Sequence, residues 1–567
     1  FFFFFFALCR TAMLEVALGR ELGEHRVPDQ DHGNHDASSN GISSEASEAS
    51  EASEASETSV NEPGQSETSV NEPQTKVVKY MSDMRATSPD ILRATWAYCA
   101  LALCGQALRG RNDLHHLSFA TTRIQQFWSH SWHGGKWMKV LTVIFLQNGT
   151  AAVFVSTFGA FIAMVLVAVG ILPPYQAPDD VVAAGCNWCT SCGLVLYCLT
   201  ILFWRRRFSI FLDVICINQK DQRRKTMGIL SMGASLKSSE SMLVLWDSSY
   251  VHRLWCVWEL AGFLHAHSAD PKPKITIKPT GAGAAYIIQT LAVAVGAVIV
   301  SSIPDRGRET RAPPVYVLAG IVVCCGYAVT VVSMCRNYFR SIEALCKQLE
   351  NFTTDSATCS CCTSGHPEGQ TCDRRILLEC ISIWFGNVGA FEHSVRTRLL
   401  NLLASGLWNE LFRYKRCVAV TVPLLWQFLE RIAVDLHFGS GEKYVEHIFF
   451  HLIRGCAWWL GCFPIMFFTF LVLARFLRRR RSMPLEMLTN LLVMVGPVSV
   501  FLAMQALERV GRARTTHLKG LYWQYLVITP LTILLSWFCY GCFHLWKSDV
   551  VGREQVPGDS HTTSISL

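Results

Sequence analysis

Two groups of residues in this chain have the types and spacing to do chemistry. In the run CSCCTSGHPEGQTC, Cys359, Cys361, Cys362, His366 and Cys372 cluster closely enough for thiolate and imidazole groups to complete a tetrahedral zinc site. The paired CxxC spacing of zinc fingers is absent, and a labile disulfide or a redox-sensitive loop would use the same residues. The second group is Ser129, His130, Asp213, Asp247 and Glu259, which end apolar β-like runs or sit on the helix-like stretch after them. Groups at strand ends are candidate ligand-binding residues, although a strand-end Asp equally caps the next helix or turn. Ser129 and His130 alternate along a strand and face opposite ways, so a local Ser–His nucleophile pair is not expected. Cys256 has His252 one helical turn earlier, a nucleophile–base spacing whose competing role is core packing together with Trp255 and Trp258.

The elements that must position the second group alternate between strand and helix. Ile124 to Trp132 (IQQFWSHSW) reads as a strand, followed by Gly134, Gly135 and a helix-like run from Lys136. Phe208 to Val214 makes a second strand, ending at Asp213 and the polar loop Cys216 to Asp221; Arg223 to Lys237 is helix-like. Ser241 to Trp246 is a third strand, Tyr250 to His267 a second helix, and Lys274 to Lys278 a fourth strand. Such alternation implies parallel pairing, with the C-terminal strand ends lining a crevice in which Ser129, His130, Asp213, Asp247 and the start of the last helix converge. The stretch Phe208 to His267 is therefore not self-contained, because it needs the strand at Ile124 to His130.

Between those strands lie segments of a different character. The chain has 567 residues, 50% hydrophobic and 17% charged, which is too apolar for an ordinary soluble protein of this size. Runs near membrane-spanning length occur at Thr150 to Leu172, Gly185 to Trp204, Ala282 to Ile303, Pro314 to Cys335, Cys456 to Phe476, Pro484 to Leu507 and Trp523 to Trp546. Asp179 and Asp180 before the second run and Arg205 to Arg207 after it place the following segment in the cytosol. Arg478 to Arg481 then fall on the outside by simple counting, unless a span is re-entrant or an extra one hides near Cys417 to Leu429. The net charge of +7 gathers beside apolar runs, so the partner it implies is the lipid bilayer and not nucleic acid. The 23 cysteines lack the spacing of a secreted scaffold and read mainly as buried thiols. Glu21 to Pro73 is low-complexity, with Ser-Glu-Ala repeats and SETSVNEP twice, and is expected to be disordered.

The motifs FWSHSW, FLDVICINQKD and MLVLWDSSYVHRLWCVWEL, in that order, resemble the Toll/interleukin-1 receptor (TIR) domain superfamily. FLDVICINQKD with MGILSMGASLKSSESMLVLW also resembles the heterokaryon-incompatibility domain, a TIR relative, and the whole arrangement is similar to a group of multipass proteins from protist genomes. The likeness covers about 121–148 and 205–279. Departures are the membrane hairpin between the first helix and the second strand, the lack of Pro-Gly after that strand, and no evident fifth strand and helix. The resemblance implies a flavodoxin-like α/β fold, homotypic association through exposed helices and the CINQKD loop, and, for members that cleave NAD, a catalytic Glu that here falls on Glu259. Such a carboxylate would stabilise the positive charge that builds on the ribose as the glycosidic bond to nicotinamide breaks.

The expected fold is a multipass α-helical membrane protein with a small α/β (flavodoxin-like, TIR-like) cytosolic domain split by a transmembrane hairpin. Its segments are a disordered region at 1–90, the first strand and helix of the TIR-like domain at 121–149, a hairpin at 150–204, the rest of that domain at 205–281 and a second hairpin at 282–335. A cytosolic Cys/His-containing helical segment at 336–447, a membrane region at 448–546 and a tail at 547–567 follow. Signalling or assembly by self-association is the leading function, with NAD(P) hydrolysis at Glu259 as the enzymatic alternative. A transporter or channel is the third class, disfavoured by the scarcity of acidic residues in the spans.

Overall fold

A computed structural model of the chain describes residues 68–110, 114–132, 134–176, 184–270, 272–301, 326, 328–359, 361–362, 372–401, 412–439, 443–514 and 518–553. The chain divides into two units, Phe1–Lys79 and Tyr80–Leu567. The expected disordered region extends too far: Thr68–Ser82 is helical and Pro89–Ile91 forms a 3-10 turn, whereas 1–67 lies outside the described residues.

One six-stranded sheet organises the second unit. Its strands are β1 (Arg93–Trp96), β2 (Ser118–Ala120), β3 (Gln126–His130), β6 (Ser209–Phe211), β7 (Met242–Trp246) and β8 (Ile275–Pro279), in spatial order β2-β1-β6-β3-β7-β8. A separate two-stranded ribbon joins β4 (Tyr175–Gln176) to β5 (Ala184–Gly185). The four strands β6, β3, β7 and β8 are parallel, and β1 and β2 extend the β6 edge antiparallel. Every residue of β7 (MLVLW) is buried, as the interior strand of a parallel sheet covered on both faces requires. Register is set by apolar pairs such as Phe127 opposite both Met242 and Phe211, and the rings of Phe127 and Phe211 stack at 4.8 Å.

After β3 the chain enters a helix, Lys136–Ala168, that runs 33 residues without a break. The expected first helix of the α/β domain and the expected first span are thus one rod of about 50 Å, longer than the roughly 30 Å of a hydrocarbon core. Phe154, Phe158, Phe161 and Val165 form an exposed apolar stripe along it. Trp188–Phe203 packs beside it, held by Asn148 Nδ2 donating to Ile201 O at 2.9 Å, and at 16 residues it is shorter than the span expected there. Helix Ala282–Ser301 lies close against the first rod at Gly283, whose N–H donates to Thr142 Oγ1 at 3.2 Å and where any Cβ would collide with the Thr142 backbone.

Among the described residues, four helices are long and apolar enough to cross a membrane: Lys136–Ala168, Val445–Phe476, Met483–Val510 and Gln524–Gly541. A fifth crossing is available from Tyr414–Val420 and Val422–Phe438, bent by 52°. The expected span at Pro314 to Cys335 falls mostly outside the described residues. The C-terminal part of the expected segment 336–447 contains this bent pair. There Val422–Phe438 packs on helices Lys136–Ala168 and Trp188–Phe203, with Glu430 accepting from Thr190 N–H at 2.8 Å and Gln427 donating to Thr190 Oγ1 at 2.8 Å. Arg336 donates to Leu477 O at 2.9 Å, and Arg478 pairs with Glu343 at 2.8 Å, so Arg478 contacts helix Ser333–Glu350, which carries Arg336.

Candidate functional site

The C-terminal ends of β3, β6 and β7 bring the predicted polar residues together. Glu259 sits on helix Leu254–Ala266, which is buried along most of its circumference because it lies between the sheet and helix Asp373–Phe385. Its carboxylate turns inward: Ser129 Oγ donates to Glu259 Oε2 at 2.5 Å and lies 2.7 Å from the Tyr250 hydroxyl. That hydroxyl in turn reaches Cys256 O at 3.3 Å. Glu259 is therefore neither on a solvated face nor simply paired with Arg253. Burial, assisted by the charge of Asp213, pushes its pKa from 4.5 to about 8 against the opposing Ser129 hydrogen bond and Arg253. It is a neutral acid at neutral pH.

His130, the last residue of β3, is buried, and burial with the nearby charges of Lys139 and Arg253 lowers its pKa to about 3. It stays neutral, its ring edge-on to Trp132 at 4.4 Å, and its Nε2 has no hydrogen-bond partner among the described residues. Asp213 starts the short helix Asp213–Cys216, accepting from Val214 N–H at 2.8 Å and Trp132 Nε1 at 3.3 Å; burial raises its pKa. Asp247 accepts from Ser249 and pairs with Lys139 Nζ at 3.3 Å, and Lys139 itself is 1% exposed and donates to Ser131 O. The chain passes the carboxylate at Gly134, where a Cβ would collide with Asp247.

The cysteine nucleophile is ruled out by the same geometry. Cys256 donates its thiol to His130 O at 3.6 Å, and burial holds its pKa well above the ordinary thiol value. His252 is exposed, and its backbone carbonyl accepts from Thr358 N–H at 2.8 Å. Of the expected packing trio, only Cys256 faces the sheet. Trp255 donates to Asp373 at 3.3 Å, and Trp258 meets Trp384 at 5.4 Å.

In the cysteine run, the sulfurs of Cys359, Cys361, Cys362 and Cys372 lie within 4.8 Å of one another. His366 lies outside the described residues.

No family model, curated protein or solved structure matches this chain.

Two features of the site escape sequence reasoning. Lys139 reads as a basic flank of an apolar helix, and Tyr250 as the start of one, yet Lys139 pairs with Asp247 and Tyr250 completes the polar contact at Ser129. The spacing from Trp132 to Lys139 carries the only signal, a cation one turn into a helix that starts where a strand ends. A further cavity of about 530 Å³ lies among the membrane helices, lined mainly by apolar and aromatic residues together with Gln289, Gln427, Arg454 and Gln505.

Proposed function

We propose that this is a membrane-embedded signalling or assembly protein, with a TIR-like, flavodoxin-like α/β domain whose polar centre is coupled to a membrane helix. The observation that carries the reading is Lys139. It belongs to the first turns of the 33-residue apolar rod, yet its ammonium is buried against Asp247 at the end of β7. Any shift of that rod must break or carry the pair, so the domain and its membrane helix move together. Contacts to a second copy would come from the CINQKD loop, of which Gln219, Lys220 and Asp221 are exposed. Asn218 accepts from the N–H groups of Lys220 and Asp221, each at 3.0 Å, and Asp221 caps helix Gln222–Leu230, so the loop is ordered before any partner arrives. Cross-linking of the full chain in nanodiscs loaded with two copies should give a dimer that Arg223→Glu weakens. A wild-type chain that stays monomeric under those conditions would overturn the reading.

NAD(P) hydrolysis is the second reading, supported by the Ser129–Glu259 contact at the strand ends. Stabilising the ribose cation needs the carboxylate, and with a pKa near 8 only about a tenth of Glu259 is ionised at pH 7. Nicotinamide release by the detergent-purified chain should then climb between about pH 7 and pH 9 and vanish in Glu259→Ala. Equal, background turnover by the two proteins would end this reading. Transport through the cavity beside Arg454 is the third, and substrate-dependent flux in proteoliposomes would promote it.

A further inference from the structure

Four sulfurs gathered from two stretches of chain need an account that neither assembly nor hydrolysis supplies. Cys359 lies 3.0 Å from Cys361 and 3.0 Å from Cys362, and Cys362 lies 3.7 Å from Cys372, with no disulfide among them. These separations exceed the roughly 2.05 Å of an S–S bond. They bracket, from 3.0 to 4.8 Å, the roughly 3.8 Å edge of a tetrahedron with zinc–sulfur bonds of about 2.3 Å. A polynuclear iron–sulfur cluster would spread its thiolates over several metal centres and hold them wider apart.

The backbone on both sides of the cluster is fastened to one place. Thr358, immediately before Cys359, donates its N–H to His252 O at 2.8 Å and accepts from Leu254 N–H at 3.1 Å, at the first turn of the Glu259 helix. Cys372 caps helix Asp373–Phe385, and the next residue, Asp373, accepts from Trp255 Nε1 at 3.3 Å. Arg374 closes the loop from within by donating to Ala357 O at 2.6 Å. Cys359 is buried and Cys362 exposed, so the group sits at the surface with a way in from solvent.

We propose that Cys359, Cys361, Cys362 and Cys372 hold one zinc ion through four thiolates, and that the ion clasps this segment to the start of the helix carrying Glu259. Binding releases the thiol protons to solvent and leaves the metal with no open position, so its role is structural. The set is complete without His366. The site stands independently of the assembly and hydrolysis readings, because it concerns metal content and helix position.

The full chain, purified in detergent without chelator, should carry about one zinc by elemental analysis, falling below about a tenth in Cys361→Ser/Cys362→Ser. His366→Ala should keep the metal. Cobalt exchanged into the wild type should show thiolate-to-metal charge transfer and tetrahedral ligand-field bands. Removing zinc from the wild type with a chelator should speed backbone hydrogen exchange at 252–258, a readout that does not depend on any variant folding. The zinc site would be overturned by a metal-free chain, by iron in its place, by a disulfide among the four cysteines in mass spectra, or by loss of the metal in His366→Ala. Exchange at 252–258 that ignores chelation would overturn the clasp.

Discussion

Two carboxylates far apart in this chain, Glu259 at the sheet and Glu508 among the membrane helices, solve the same desolvation problem differently. Glu508 is 1% exposed and surrounded by donors: Arg454 at 2.9 and 3.0 Å, Trp458 Nε1 at 2.6 Å, and the Tyr525 hydroxyl. Glu259 has one hydroxyl hydrogen bond, and the charge of Arg253 does not offset its burial, so it keeps its proton. A charged carboxylate persists away from water where a guanidinium fork and neutral donors meet it, and it neutralises where they do not. The membrane region therefore holds a fixed ion pair, and the sheet holds an acid that titrates near neutral pH.

The contrast can be broken most severely at Arg454. Arg454→Met strands Glu508 as an uncompensated charge and should cost about 3–5 kcal/mol in denaturant unfolding in detergent, with Arg454→Met/Glu508→Gln recovering part of the loss. If the double variant is no more stable than the single, the ion pair is not what holds that cluster.

Lys139→Met does the same to Asp247 near the sheet, and because Asp247 keeps Ser249 as a donor the loss should be smaller, about 2–3 kcal/mol. Glu259→Gln should act with the opposite sign. With a folded pKa near 8 against an ordinary 4.5, the folded state holds a proton that the unfolded chain releases, so wild-type stability falls as pH rises from 4.5 through about 8. The glutamine lacks that slope and should be more stable by about 1–2 kcal/mol at pH 8, with no gain below pH 4.5. Melting curves of the two proteins that run parallel across this window would contradict the raised pKa. Ser129→Ala is the mildest change, about 1 kcal/mol, and should move the pH midpoint upward because the lost hydrogen bond favoured the ionised form.

The sheet side of this contrast is largely legible in the amino-acid sequence. The parallel strands β3, β6, β7 and β8 stand out as apolar runs separated by helix-like stretches, and strand-end logic puts Ser129, His130, Asp213 and Asp247 in one neighbourhood. Strands β1 and β2 do not stand out, because four and three residues are too few to show a period, and β2, at the sheet edge, needs no continuous apolar run. The Glu508–Arg454 pair is hidden for another reason. Its members lie 54 residues apart on separate helices, and Glu508 stands at the end of an apolar run, where it reads as a flank. The direction in which Glu259 points is equally illegible, since a helix covered on two sides shows no clear polar face.

The insertion of two apolar helices between strands of the sheet also dictates the order in which the domain can be made. Strand β3 leaves the ribosome well ahead of its partners: 84 residues separate Gln125 from Ser209, and two apolar helices are synthesised in between. Both neighbours of β3, β6 and β7, come later, as does the Asp247 that neutralises Lys139. Until those partners are made, the nascent chain carries a bare strand edge and a lysine without its aspartate. Placement of those two helices is thus a checkpoint for the sheet, and a mutation that delays it would surface as aggregation of the exposed strands.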